Sequence, residues 1–104
     1  MDDFFNHPDG MAGVDEKAIR QEKDKARALR KTRWWQQKIG SGRCYYCGKK
    51  VAPSELTMDH ILPLARGGKS VKNNIVACCK SCNSQKKGML PLEWQQHLEK
   101  RLNE

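Results

Sequence analysis

Two cysteine pairs constrain this chain more than any other feature: Cys44-Tyr45-Tyr46-Cys47 and Cys79-Lys80-Ser81-Cys82. A CxxC turn aims two sulfurs at one point, and zinc accepts four thiolates tetrahedrally. Two such turns therefore clip distant segments around a single ion. About thirty residues separate the pairs, more than the ~15–20 of an ordinary zinc ribbon. The clip encloses something of its own. Cys78 is the fifth cysteine. The spacing favours Cys79 as ligand, and leaves Cys78 either to replace it or to lie in the core as a small thiol.

Metal is preferred to disulfides because nothing in the sequence points to export. Met1-Asp2-Asp3-Phe4-Phe5 is acidic and lacks the apolar run of a signal peptide. No stretch approaches the ~18 consecutive apolar residues that a membrane span requires. The expectation is an intracellular, cytoplasmic protein in a reducing compartment, where paired CxxC turns bind metal. Size agrees. A chain of 104 residues with 31% charged side chains buries a modest core, and such domains commonly need a staple.

The formal net charge of +8 favours a polyanionic partner, nucleic acid first. Most of the surplus lies in one segment. Between Glu16 and Lys38, nine Lys or Arg face three acids, with no Gly or Pro. Lys, Arg, Gln, Glu and Ala dominate, so one helix is expected, with Asp15 as N-cap and Gly40 and Gly42 as its stop. Its apolar positions are sparse. Trp35 and Ile39 should pack on the domain, while the rest projects into solvent or onto a phosphate backbone. Residues 1–14, with His7-Pro8, Gly10 and Gly13, read as a loose tail.

Further along, 55–61 reads as a short strand and Gly67-Gly68 as a turn. Asn74 to Cys78 reads as a second strand, with β-branched Ile75 and Val76 at its centre. A helix is expected from Lys80 or Ser81 to Gly88. Pro91 can open a last helix, whose Trp94, Leu98 and Leu102 share one face. His7 and His97 read as surface residues.

Within and just beyond the cysteine clip, three blocks stand in order: Met58-Asp59-His60-Ile61-Leu62-Pro63-Leu64, then Asn73-Asn74-Ile75-Val76, then Cys79-Lys80-Ser81-Cys82-Asn83-Ser84-Gln85-Lys86. Interleaved with the cysteine pairs, they resemble the signature of HNH endonucleases over roughly 44–88. The resemblance implies a small α+β protein. Its core would be the ββα-metal (HNH, His-Me finger) unit, stapled by the four-cysteine zinc site and flanked by an N-terminal basic helix and a C-terminal helix. Together with the composition of the first forty residues, this divides the chain into a tail (1–14), a basic helical extension (15–40) and a nuclease domain (41–104).

The resemblance further assigns roles. His60 is the general base, and Asp59 and Asn83 ligate a catalytic divalent cation, Mg²⁺ or another such as Mn²⁺. Asn74 orients the His60 ring through its backbone carbonyl. The chemistry suits phosphodiester hydrolysis: an imidazole that is mostly neutral at pH 7 accepts a proton from water, and hard oxygen ligands hold the cation. Many family members carry histidine at the Asn83 position, so the preferred metal is left open. Taken singly, Asn74 reads equally as a turn residue and Asn83 as a helix cap.

Lys86 and Lys87 after Asn83, together with Arg66, Lys69 and Lys72 between the strands, are candidate phosphate contacts. Arg27, Arg30, Lys31 and Arg33 of the basic helix would add salt-dependent affinity. Trp34 and Trp35 suit packing better than base stacking. Two functions fit the charge and the cysteines: a DNA endonuclease, and a zinc-stapled nucleic-acid-binding module without catalysis. The set Asp59, His60, Asn74 and Asn83 favours the first. No reader of base edges is evident, which leaves room for work inside a larger restriction, packaging or repair assembly.

Overall fold

A computed structural model describes residues 15–102 of the chain. The tail expected over 1–14, with His7, lies outside the described residues. In chain order the elements are helix α1 (Glu16–Leu29), helix α2 (Arg33–Gly40), strand β1 (Leu56–His60), strand β2 (Ile75–Cys79), helix α3 (Lys80–Lys86) and helix α4 (Pro91–Leu102). This is the small α+β arrangement expected, with a two-stranded antiparallel sheet followed by a helix. Among the described residues, no helix is long and apolar enough to cross a membrane.

The basic segment is two helices rather than one. Asp15 caps α1 as expected, its side chain accepting from Ala18 N at 2.7 Å. The chain then leaves helical geometry at Thr32, whose hydroxyl accepts from Trp35 N at 3.4 Å and starts α2. A threonine that serves the next turn's free N–H groups makes a fresh start easier than continuation. Nor does α1 simply project outward: Glu22 and Ala26 are buried.

The strands pair Leu56 with Cys79, Met58 with Ala77 and His60 with Ile75. Side chains alternate between the two faces of a strand. Leu56 and Met58 accordingly meet Ile75, Ala77 and Trp35 on one face, with Leu29 and Ile39 around them. Every residue of β2 is buried. On the other side Cys44, Cys78, Cys79, Cys82 and Trp94 form a second cluster, closed by Tyr46, Met89 and Leu98. Two small cores thus sandwich one thin sheet. The expected stripe on α4 is only partly used: Trp94 is buried, but Leu102 is exposed. His97 is not a plain surface residue. Its ring stacks on Trp94 at 5.4 Å.

The loop from Ile61 to Ser70 is held tightly. Asn74 Oδ1 accepts from Leu62 N at 2.9 Å, while its Nδ2 donates to Leu62 O at 3.1 Å and Lys69 O at 2.9 Å. Gly67 takes a left-handed turn at φ 94°, and Gly68 N donates to Pro63 O at 2.8 Å. That approach is possible only without a side chain, since a Cβ on Gly68 would overlap the carbonyl of Leu62. Gly68→Ala is expected to cost about 2 kcal/mol of stability or more. Gly40→Ala, where a Cβ meets nothing within 4 Å, should cost far less. Calorimetric melting of both variants checks this, and equal melting temperatures would contradict the packing.

Candidate active site

The cysteine turns meet where β2 becomes α3. The sulfurs of Cys44, Cys47, Cys79 and Cys82 all lie within 4.8 Å of one another, and Cys47 Sγ is 3.9 Å from Cys79 Sγ. Four sulfurs at ~2.3 Å from one tetrahedral ion would stand about 3.8 Å apart, so the cluster fits zinc. Backbone N–H groups already point at these sulfurs: Tyr46 N and Cys47 N at Cys44 Sγ (3.3 and 3.4 Å), and Cys82 N at Cys79 Sγ (3.4 Å). Burial alone would raise the Cys44 thiol, but N–H groups of Cys47, Cys79 and Tyr46 outweigh it and bring it down to about 7. Burial pushes the Cys47 and Cys82 thiols up, so a metal, which needs deprotonated sulfurs, would displace their protons on binding. Cys78 is outside the set. It is fully buried, and burial pushes its thiol up to about 12.

The second half of the site is built on β1. Asp59 is 7% exposed and faces α3. Its Oδ2 accepts from the Tyr46 hydroxyl at 2.6 Å and pairs with Lys86 Nζ at 3.1 Å. Burial and the neighbouring Asp59 carboxylate push the Tyr46 hydroxyl well above its ordinary pKa of 10, which keeps it a donor. Among the described residues, no hydrogen bond engages Asp59 Oδ1. Thr57, on the same strand face, donates its hydroxyl to Cys78 O at 2.9 Å. It can then only accept, and it does so from Asn83 Nδ2 at 2.8 Å. With the nitrogen side of the amide held by Thr57, Asn83 Oδ1 has no hydrogen-bond partner among the described residues. Two unengaged hard oxygens, on Asp59 and Asn83, suit a divalent cation.

His60 points the other way, as alternation along β1 requires. Its Nε2 lies 2.9 Å from Ser70 Oγ. Ser70 in turn is bonded to Glu22 of α1 through Oγ and through its backbone N–H, each at 2.6 Å. Burial holds the imidazole below its ordinary 6.5, partly offset by the charges of Asp59 and Glu22. This shift favours the neutral ring, which is able to accept a proton.

Two assignments need correction. Lys86 does not stand beside Lys87 on the surface. It is 1% exposed, and its ammonium group spans Asp59 and the carbonyl of His60 (3.1 Å). A buried carboxylate needs a cation beside it, and Lys86 supplies one. Nor does the Asn74 carbonyl hold the His60 ring. It accepts from Ile61 N at 2.9 Å, continuing the strand pairing, while the Asn74 side chain pins the loop that carries Ser70.

Of the other basic candidates, Lys69, Lys72, Lys87, Lys31 and Arg33 are exposed. Lys72 and Lys38 place their charges over the Trp34 ring at 5.6 and 5.3 Å. Arg27 is paired with Asp24 at 3.0 Å and Arg66 with Glu93 at 3.2 Å, while Arg30 reaches Met58 Sδ at 3.8 Å. Sequence reasoning missed Tyr46, Thr57, Ser70 and Glu22. Tyr46, inside the first CxxC turn, was the one with a local signal.

A family model described as HNH endonuclease matches residues 44–99. The chain belongs to the HNH endonuclease family. Over 50 residues, 47% of its length, it is 44% identical to the CRISPR-associated endonuclease Cas9 of Corynebacterium diphtheriae. The matched stretch is 4% of that protein, so the chain spans a small fraction of this relative. The family match over 44–99 includes both cysteine pairs, Asp59, His60, Asn74 and Asn83, but not α1 or α2.

Zinc should therefore be stoichiometric in the purified protein by elemental analysis. Cys47→Ser and Cys82→Ser are expected to lose it and unfold, whereas Cys78→Ala should keep it. Zinc retained in both serine variants would rule out the four-thiolate site.

Proposed function

We propose that this protein is a metal-dependent DNA endonuclease in which His60 is the general base and Asp59 and Asn83 hold the catalytic cation. The observation that carries the reading is the division of labour along β1. Hydrolysis by in-line attack needs the nucleophile and the leaving group on opposite sides of phosphorus. Successive residues of a strand deliver their groups to opposite sides. Asp59 reaches the face shared with Asn83, and His60 the face toward α1. A scissile phosphate set across the strand end would meet both.

In this reading His60 takes a proton from water as its oxygen bonds to phosphorus, and the bond to the 3′ oxygen breaks. The cation, Mg²⁺ or Mn²⁺, when bound, supplies positive charge to the phosphate oxygens and the departing 3′ oxygen. Tyr46 and Lys86 fix the Asp59 carboxylate by one oxygen and leave the other to the cation. Thr57 does the same for the Asn83 amide. Asn74 secures the loop beside the base. Zinc on the four cysteines is structural and takes no part in the reaction.

Lys69, Lys72, Lys87 and the basic residues Arg27, Arg30, Lys31 and Arg33 position the DNA backbone, with Arg66 contributing what its pairing with Glu93 leaves free. Residues 15–40 form a basic extension packed against the nuclease domain (41–104). Such contacts orient a duplex without reading its sequence. The relative in which the matched stretch is 4% of the length is a CRISPR-associated endonuclease. We extend that setting to this chain: a cutting domain whose target is chosen by a larger restriction, packaging or repair assembly.

The test is cleavage of supercoiled, linear and branched DNA with Mg²⁺ or Mn²⁺. The wild-type protein should cut. His60→Ala should cut about 10³-fold more slowly while keeping its zinc and fold. Equal rates would overturn the assignment of the base. DNA binding without cleavage on every substrate would favour the zinc-stapled binding module instead.

A further inference from the structure

The hydrogen bonds around Ser70 determine which nitrogen of His60 is free to act. Ser70 and Glu22 are each 6% exposed, and they lie 48 residues apart in sequence. The Ser70 hydroxyl has one proton. It is directed at the backbone carbonyl of Glu22, 2.6 Å away, and a carbonyl can only accept. Toward His60 the same oxygen can therefore only accept, so the contact at 2.9 Å requires a proton on Nε2. A neutral imidazole carries a single ring proton, and the partner of one nitrogen fixes the state of the other. Nδ1 is left with its lone pair, and no hydrogen bond engages it among the described residues.

Two further contacts hold Ser70 in place. Its backbone N–H donates to Glu22 Oε1 at 2.6 Å, and Glu22 Oε2 pairs with Lys25 at 3.1 Å. Ser70 is thus gripped at two points by a single residue of α1. That residue lies outside the matched region 44–99.

We infer that Glu22 and Ser70 are positioning residues that lock His60 in its Nε2–H form. Nδ1 is then the proton acceptor, and helix α1 is a required part of the active site as well as a basic arm. This rests on the reading of His60 as general base. With Ser70 absent, the ring samples both tautomers and turns about its side-chain bonds. Only the fraction that presents Nδ1 to water is competent, so the loss falls on the chemical step rather than on DNA affinity.

The test combines ¹⁵N NMR of the His60 ring with cleavage kinetics on the full zinc-loaded chain. In the wild type, His60 should show a protonated Nε2 and a bare Nδ1. Ser70→Ala should mix the tautomers and lower kcat by about 10- to 100-fold, with KM for DNA held within about twofold. Glu22→Ala keeps the backbone carbonyl that takes the hydroxyl proton and loses only the grip on the Ser70 N–H, so it should keep the Nε2–H form and lower kcat less than Ser70→Ala does. Glu22→Gln, which keeps a side-chain oxygen for the Ser70 N–H, should recover most of the loss. A wild-type ring protonated at Nδ1 would overturn the inference. So would a Ser70→Ala chain with wild-type kcat and an unchanged ring. If Ser70→Ala loses zinc or fold, the wild-type tautomer and the Glu22 pair decide. Failure of the nuclease reading looks different: His60→Ala then cuts like the wild type, or neither cuts, whatever the tautomer.

Discussion

The meeting of four sulfurs at the corner between β2 and α3 is the constraint on which the rest of the molecule depends. Cys79 ends the strand and Cys82 lies in the first turn of the helix, so the cluster fixes the angle at which α3 leaves the sheet. Asn83 and Lys86 ride on that helix. The first pair, Cys44 and Cys47, brings Tyr46 to the same place. Without the cluster, a two-stranded sheet with small cores on both faces has little to hold it; a hairpin of this size is marginal by itself. A metal bound only by the folded chain adds its binding energy to folding.

From that corner the candidate site is assembled as two half-sites on one strand. The Asp59 side is charged and crowded: a carboxylate, a buried ammonium group, a tyrosine hydroxyl and an amide, each with a fixed partner. The His60 side is a neutral imidazole against a serine. Burial favours the neutral imidazole, which suits a proton acceptor. Polar groups buried with all their partners present are rigid, and rigidity is what holds a reactive group in register with its substrate. The pairing of Asp59 with Lys86 gives a carboxylate that is 7% exposed an opposite charge at 3.1 Å.

Much of this was legible in the sequence, for definable reasons. CxxC turns, Asp59-His60 and the order of the asparagines are local signals. So are the Asp15 cap and Pro91 at the start of α4, and all lie where the structure has the corresponding elements. What was not legible depends on proximity in space. Lys86 looks like any lysine after Asn83; its burial follows only from how α3 crosses β1. Ser70 and Glu22 have no local pattern linking them. The break at Thr32 was hidden by strong helix formers on both sides, which propensity joins into one helix. Propensity sums over a window, and a single capping hydroxyl can override it.

The account's central claim is that a divalent cation bound by Asp59 and Asn83 faces His60 across one phosphate. A crystal structure of His60→Ala bound to duplex DNA with Mg²⁺ tests it most directly. The account predicts one cation touching Asp59 Oδ1, Asn83 Oδ1 and an oxygen of the phosphate, with that phosphate lying between the cation and the space vacated by the imidazole. DNA seated elsewhere on the protein, or a cation that avoids both oxygens, would contradict it.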